Sequence, residues 1–364
     1  MNYNGWERDY LENKQAYDKL FEEACLAGEQ DVSTSFLEEE IAAIANKKYA
    51  VTCASATDGL IFALQAYNIG PRDDVLVSDF SWISSASCVS AVGANPIFVD
   101  IDRNTFEPCL HSIKTMVTEN TCAIVYPTLF GRMSPNIHEV VKWCKDNNII
   151  FIEDSAQSLG VELNGVKAGS IGDISVYSFN DNKVIAGFNG GGAVMTNQKD
   201  IQKVVTRLAY HGRGTSSSDR NVTMLGRNSK MYLMNAKVIS MRLKSMAKWQ
   251  KRRNEIAEQY NQFFKTKKEI TIPEHYENLN HNYHKYVILF DQPKHRDAVG
   301  GNIHYRDPIS HNSFYAKTLS KHTTHNAKEI SDKIMSLPCH AWMTNDEVEE
   351  ICDKIDHVLW SSYI

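Results

Sequence analysis

A chain of 364 residues can bury a large core, and its length suggests two domains or one large one. With 43% hydrophobic and 23% charged residues, its composition is ordinary for a soluble globular protein. The net charge of −5 argues against bulk nucleic-acid or membrane binding.

Residues 1 to 30 are polar and read as a helix ending near Gly28. Met1 to Gln15 carry no apolar h-region, so no secretory signal is expected. Apolar residues at 36, 37, 41 and 44 repeat at a helical period. Tyr49 to Ala54 reads as a strand, Ser55-Ala-Thr-Asp58 as a capping box, and Gly59 to Tyr67 as the helix that follows. Short strands are predicted at Val75–Val77, Pro96–Val99, Cys122–Tyr126, Ile149–Ile152, Ile174–Phe179 and Ala193–Met195. They alternate with helices at Ser84–Val92 and Ile137–Asn147. The alternation predicts a mostly parallel sheet covered on both faces. A polar loop, His211 to Arg220, comes next. A long helix is expected from about Asn235 to Phe264, dividing a large domain (1–245) from a smaller α+β domain (246–364). The latter holds a strand at Tyr286–Phe290, an irregular segment from His304 to His311, and a terminal helix from Asp346 to Trp360.

No run of about 18 apolar residues occurs, so no membrane-spanning helix is expected. Eight scattered cysteines, none in a C-x-x-C pair, read as reduced thiols of a cytoplasmic protein. Neither His322-Thr-Thr-His325 nor the pair His304 and His311 has a thiol or carboxylate at metal-ligand spacing, so no metal site is expected.

Parallel sheets bind ligands beyond the carboxyl ends of their strands. Thr57, Trp82, Asp154, Gln157, Ser178 and Lys183 all fall at or just past such ends. An acid and a lysine on neighbouring strand ends suit a carbonyl-reactive cofactor. Lys183 can form a Schiff base, and a buried Asp154 can hold a pyridine nitrogen protonated. Taken singly, Asp154 reads as a helix cap and Lys183 as a solvated loop residue. The set as a whole is what points to chemistry. Ser55-Ala56-Thr57 turns a strand into a helix, whose free N–H groups and positive dipole end suit a phosphate. Thr57 and Ser178 add hydroxyl donors. Glycines 187, 190, 191 and 192 let the backbone approach a ligand, or only make a turn. Trp82 can stack on a flat heteroaromatic ring or simply pack in the core. Gln157 reaches the ring hydroxyl if a helix begins after Asp154.

Several stretches carry a family likeness: Ala54-Ser-Ala-Thr-Asp-Gly-Leu60, Ile152-Glu-Asp-Ser-Ala-Gln157, Gly169-Ser-Ile-Gly-Asp173 and Tyr177-Ser-Phe-Asn-Asp-Asn-Lys183. With Gly226-Arg-Asn228, Lys251-Arg-Arg253 and Ser336-Leu-Pro338, they resemble the DegT/DnrJ/EryC1/StrS family of pyridoxal-phosphate sugar aminotransferases. The resemblance implies a fold-type-I enzyme with a seven-stranded sheet, a small C-terminal domain and a homodimer with shared active sites. It implies that Lys183 holds pyridoxal 5′-phosphate, that Asp154 meets its nitrogen and that Gln157 contacts the ring oxygen. Trp82 would stack on the ring, and Ala56, Thr57 and Ser178 would line the phosphate turn. Asn228 would reach the cofactor phosphate of the neighbouring subunit. The implied reaction moves an amino group from a donor, usually glutamate, to a nucleotide-linked keto-sugar. The S-F-N-x-N-K wording resembles members acting on 4-keto-6-deoxy sugars.

The departures from the family pattern fall mostly on the substrate side. Ala56 stands where a glycine is usual, so the phosphate turn must accept a Cβ. The loop after the lysine reads Phe188-Asn-Gly-Gly-Gly192 in place of G-E-G-G. Ser229 and Lys230 replace a tyrosine and an arginine; Lys230 supplies the charge for a donor carboxylate without the bidentate fork. The H-Y motif is His304-Tyr305, after a shortened segment. Arg213 and Arg220 are candidates for a sugar-nucleotide diphosphate. The basic run from Arg242 to Arg253 reads as a solvated helix face. Two other functions fit the fold: a dehydratase-like reaction on a keto-sugar, which the intact Lys183 disfavours, and a non-catalytic sensor or scaffold.

Overall fold

A computed structural model of the chain describes residues 4–26, 33–214, 219, 221–318 and 324–361. Its main sheet is built from β1 (Tyr49–Cys53), β2 (Asp74–Ser78), β3 (Asn95–Val99), β4 (Thr121–Pro127), β5 (Ile150–Asp154), β6 (Ile174–Ser178) and β7 (Gly192–Thr196). The spatial order is β1-β7-β6-β5-β4-β2-β3. Strands β2 to β6 pair in parallel, whereas β7 runs antiparallel to both its neighbours, β1 and β6. The sheet is therefore mostly parallel, as the β-α alternation predicted.

The strands are apolar because both faces of the sheet are covered. The helices are α1 (Trp6–Leu26), α2 (Ser35–Ile44), α3 (Ala56–Ala66), α4 (Ser84–Ala91), α5 (Leu110–Met116), α6 (Ile137–Asp146), α7 (Lys199–Ala209), α8 (Leu233–Leu243) and α9 (Met246–Phe264). Successive residues of a strand point to opposite faces. Along β5, Ile152 joins Leu60 and Leu64 of α3 in one core, and Phe151 joins Val140 and Cys144 of α6 in another.

The long helix expected over Asn235–Phe264 is two helices, interrupted at Lys244 and Ser245. The apolar residues of α8 and of the first turn of α9 (Met246, Trp249) face one core, and those of the later turns of α9 face another. Ala236 and Ile239 of α8 pack with Leu37 and Ile41 of α2, while Ile256, Tyr260 and Phe264 of α9 pack beneath a second sheet. The second sheet comprises β8 (Ile270–Thr271), β9 (Tyr286–Phe290) and β10 (Ile334–Leu337), with β9 in the middle. The sequence pattern marked β9 and the terminal helix Asn345–Ser361 but passed over β10, α5, α7 and the helix His325–Lys333. No described helix is long and apolar enough to cross a membrane.

Candidate active site

The carboxyl ends of β1, β4, β5 and β6 surround one cavity. Ala56, Thr57, Trp82, Asp154, Gln157, Ser178, Lys183, His304 and Tyr305 all line it. The sequence places these residues far apart; the parallel register brings their strand ends to one edge.

Strand β5 ends in two carboxylates whose roles are separated by the pleat. Glu153 faces away from the cavity and is fully buried. It accepts from the N–H groups of Gly169 (2.5 Å), Ile171 (2.9 Å) and Gly172 (3.0 Å) and from the hydroxyls of Ser155 (2.8 Å) and Ser175 (3.1 Å). Asp154 faces the cavity. Its Oδ1 accepts from the Ala156 N–H at 3.2 Å and its Oδ2 from Ser85 Oγ at 3.4 Å. Burial nevertheless raises its pKa above the usual carboxylate value, against the pull of those bonds and of Lys183. Such an acid gains stability when a cationic partner enters the cavity.

Lys183 lies on the loop beyond β6. Burial is the main cause that pushes its pKa down to about 8; the ammonium of Lys285 adds to this and Asp154 opposes it. A larger fraction of its amine is therefore neutral, and nucleophilic, near pH 7 than for an ordinary lysine.

The first turn of α3 forms another wall. Ser55 Oγ accepts from the Asp58 N–H at 3.0 Å, which is half of the expected capping box. The return bond is absent, because the Asp58 carboxylate accepts from Arg227 (3.1 Å) and Ser229 Oγ (2.8 Å) instead. The N–H groups of Ala56 and Thr57 lie in the first helical turn and have no intrahelical acceptors. Ala56 sits in this turn as an ordinary helical residue, so its Cβ is accepted. The close approach falls instead at Gly192, where a Cβ would lie 2.6 Å from the Ala56 nitrogen. Of the other glycines in the run, Gly190 and Gly191 line the cavity, while Gly187 faces Asn235.

Trp82 is 59% exposed and borders the cavity, so it is no core residue; its ring lies 6.4 Å from that of Tyr305. Gln157 departs from expectation in its setting. No helix begins after Asp154; the chain makes turns there, and the side chain is held from two sides. Its Oε1 accepts from the Phe130 N–H and its Nε2 donates to Tyr305 Oη, both at 2.8 Å. Ser178 Oγ accepts from the Asn180 N–H at 3.3 Å. His304 is bonded through Nδ1 to Ser336 Oγ at 2.9 Å, and burial, with Lys285 and Lys183 nearby, pushes its pKa down to about 4. It is a neutral imidazole.

Three candidates stand outside this cavity. Arg213 and Lys230 both lie against the ring of Tyr210, at 4.2 and 4.0 Å, and Arg213 donates to its hydroxyl. Asn228 forms a backbone bridge with Tyr210. Arg220 lies outside the described residues. Conversely, the cavity contains residues the sequence reading missed. Lys285 and His284 come from the start of β9, and Ser81, Phe130, Asn180 and Asn182 from loops. Asn180 and Asn182 were legible within the lysine motif. Lys285 had no local signal, because only the packing of the second sheet on the first carries it to the site.

The profile of the DegT/DnrJ/EryC1/StrS aminotransferase family matches residues 14–356. A UDP-N-acetyl-3-dehydro-α-D-glucosamine 3-aminotransferase of Acidithiobacillus ferrooxidans is 28% identical over 329 residues, covering 89% of this chain and 88% of its own. A dTDP-3-amino-3,6-dideoxy-α-D-galactopyranose transaminase of Aneurinibacillus thermoaerophilus is 28% identical, with 95% and 94% covered. The solved structure of S. venezuelae DesV in complex with a ketimine intermediate superposes with a TM-score of 0.90 at 23% identity, covering 98% of this chain and 97% of that one. The match spans the motifs at Ser55–Thr57, Glu153–Gln157 and Ser178–Lys183, and the chain belongs to the DegT/DnrJ/EryC1/StrS aminotransferase family.

Proposed function

We propose that this chain is a pyridoxal-phosphate-dependent aminotransferase that moves an amino group from an amino-acid donor, glutamate first among them, to a nucleotide-linked keto-sugar. One observation carries the reading: a buried acid and a lysine with a lowered pKa face the same cavity across the open first turn of a helix. The residues fit the cofactor. The underbonded Asp154 carboxylate suits a ring nitrogen that must stay protonated, and the N–H groups of Ala56 and Thr57 with the Ser178 hydroxyl suit its phosphate. Lys183 would hold it covalently, with the Trp82 indole against the ring and Gln157 with Tyr305 beside its oxygen. When bound, the cofactor supplies a carbonyl that carries the amino group and a ring that withdraws electrons.

The chain's own residues then do three things. Asp154 keeps a proton in place at the end of β5. Lys183, partly neutral near pH 8, takes and returns a proton at the substrate carbon. His304 stays uncharged and leaves Lys183 as the base.

The relatives named above act on UDP- and dTDP-linked sugars, which supports a nucleotide sugar as acceptor. The S-F-N-x-N-K wording favours a 4-keto-6-deoxy sugar. The 3-dehydro sugar in one relative's name and the 3-amino sugar in the other's favour a 3-keto sugar as the second reading. Eight unpaired cysteines support a cytoplasmic setting. The position of Asn228 outside its own cavity, beside an exposed Leu225 and Tyr232, supports a homodimer in which it completes the partner's site.

Adding glutamate to cofactor-loaded protein should convert the absorbance of the aldehyde form to that of the amine form. No conversion with any amino acid defeats the transaminase reading. Nucleotide-linked 3-keto and 4-keto sugars, each with glutamate, then identify the acceptor by product mass and NMR. Mixing inactive K183A with inactive N228A protein should restore part of the activity if sites are shared between subunits.

A further inference from the structure

The segment carrying Lys183 leaves the sheet after Ser178 and returns at Gly192. Its cavity side belongs to the site above. Its other side is covered by the start of α1 and by α8. Trp6 Nε1 donates to the carbonyl of Asp181 at 2.7 Å, two residues before Lys183. Arg242 Nη1 donates to the carbonyl of Ala186 at 2.5 Å, three residues after it. The guanidinium is itself held. Its Nε and Nη2 donate to Asp9 Oδ2 at 3.0 and 2.7 Å, and the Trp6 ring lies 3.6 Å from it. Asp9 and Arg242 side chains are 2% and 4% exposed, so this pair is a fixed point rather than a surface contact.

Phe188, where the glycine loop departs from the family pattern, packs on Trp6 at 5.7 Å and on Tyr17 at 5.9 Å. The helix is anchored at its far side too. Arg8 donates to both carboxylate oxygens of Glu347, at 2.9 and 2.6 Å, and to the carbonyl of Trp342 at 2.5 Å. A small second cavity, bounded by Trp6, Asp181, Lys183, Arg242 and Trp342, lies behind the lysine. Lys183 therefore has space on both sides, and its own loop is rich in glycine at its far end. An amine that must meet a carbonyl loses much of its rate to small displacements.

We propose that the N-terminal helix is a clamp on the Lys183 loop, with Trp6 and Arg242 as positioning residues that act through the carbonyls of Asp181 and Ala186. The proposal rests on the reading of Lys183 as the reacting amine. It explains why the start of a polar helix buries an ion pair beneath a loop it does not otherwise need to touch. It also gives Phe188 a role: the ring replaces backbone freedom with a contact to α1. Releasing the clamp lets the lysine turn towards water, and its pKa climbs from about 8 back towards the ordinary lysine value.

The test uses Trp6→Ala and Trp6→Phe in the full chain; phenylalanine keeps a ring over Arg242 and loses only the N–H. The cofactor-free proteins are treated with a small amine-acylating reagent across pH, and the Lys183 peptide is quantified by mass spectrometry. For W6A the midpoint rises by about one pH unit, so labelling at pH 7 slows about tenfold. W6F lies between W6A and the parent. In loaded protein both variants lower kcat with the KM for glutamate unchanged. Parental midpoints in both variants overturn the clamp, however far the melting temperature moves. If W6A does not fold, W6F decides alone: a parental midpoint overturns the clamp and a raised one supports it. An ordinary lysine midpoint in the parent protein overturns the reading of Lys183 itself, which separates the two failures.

Discussion

Gln157 and Tyr305 are joined by a 2.8 Å hydrogen bond that spans 148 residues of sequence. It ties the turn after β5 to the segment that joins β9 to β10 of the second sheet, at the edge of the cavity. The other end of the Gln157 amide accepts from the Phe130 N–H, so the side chain is held from both ends. Gln157→Leu strips both the Phe130 N–H and the Tyr305 hydroxyl of their partner. Each buried group left unpaired costs about 1–3 kcal/mol. The expected outcome is a lower denaturation midpoint together with weaker cofactor binding. Tyr305→Phe should lose less, because only one bond goes. Equal losses in the two variants would show that the bond to the Phe130 N–H contributes nothing.

Lys183 predicts a pH dependence with a definite sign. Its folded pKa of about 8 is below the ordinary lysine value, so the folded state disfavours the ammonium form. That penalty is absent above about pH 10.5, grows as pH falls, and is complete below pH 8. Lys183→Met should therefore make the cofactor-free protein more stable than the parent at pH 7, by about 1–3 kcal/mol, with the difference shrinking towards pH 10. Urea denaturation at pH 7 and 10 measures it. A gap that widens with pH contradicts the assigned direction. The same variant must also lose the covalently bound cofactor.

Asp154 raises the Lys183 pKa while burial lowers it. Asp154→Asn removes the negative charge and should drive the lysine midpoint further down, below about 8. Turnover should fall on the order of 10²-fold or more, because the acid that holds a proton in the cavity is gone. Labelling of Lys183 across pH separates these effects: an upward shift in the midpoint is the outcome that rejects this pairing.

Glu153 adjoins Asp154 in sequence, but its carboxylate faces away from the cavity. Five donors converge on its carboxylate, and an amide cannot accept from all of them. Glu153→Gln should destabilise the chain by about 2–4 kcal/mol, with activity per folded molecule nearly kept. A folded Glu153→Gln protein of normal stability and no turnover would place Glu153 in the chemistry.

Gly192→Ala tests the proposed phosphate turn from behind. The added Cβ would lie 2.6 Å from the Ala56 nitrogen and the Ser55 carbonyl carbon, which are backbone atoms with no room to give. The expected cost is about 1–3 kcal/mol, with reduced affinity for inorganic phosphate or cofactor measured by calorimetry. Gly165→Ala is the contrast: it meets no atom within 4 Å, and only its φ of +80° penalises the change. Equal phosphate affinities in the two variants would remove Gly192 from the turn's support.

Much of the sheet was legible because each strand is a short apolar run bounded by turn residues, and local burial on two faces writes that pattern directly. Ser55–Thr57, Asp154, Ser178 and Lys183 were legible because strand ends are where such sheets bind ligands. Other features depended on neighbours that no window contains. The reach of Gln157 was conditional on a helix after Asp154; the chain makes turns there, and its amide is held by Phe130 and Tyr305. Lys285, just before β9, has no local signal until β9 packs against the first sheet.

The pair that organises the site, Asp154 and Lys183, was set by sequence alone as far as residue type and strand end are concerned. Side-chain alternation assigns one face to Asp154 and the other to Glu153, but which face holds the cavity is decided only when α3, β6 and the second sheet close around it. The properties of the pair are tertiary for the same reason. The raised acid and the lowered lysine both come chiefly from burial, and burial depends on what the rest of the chain brings to cover them.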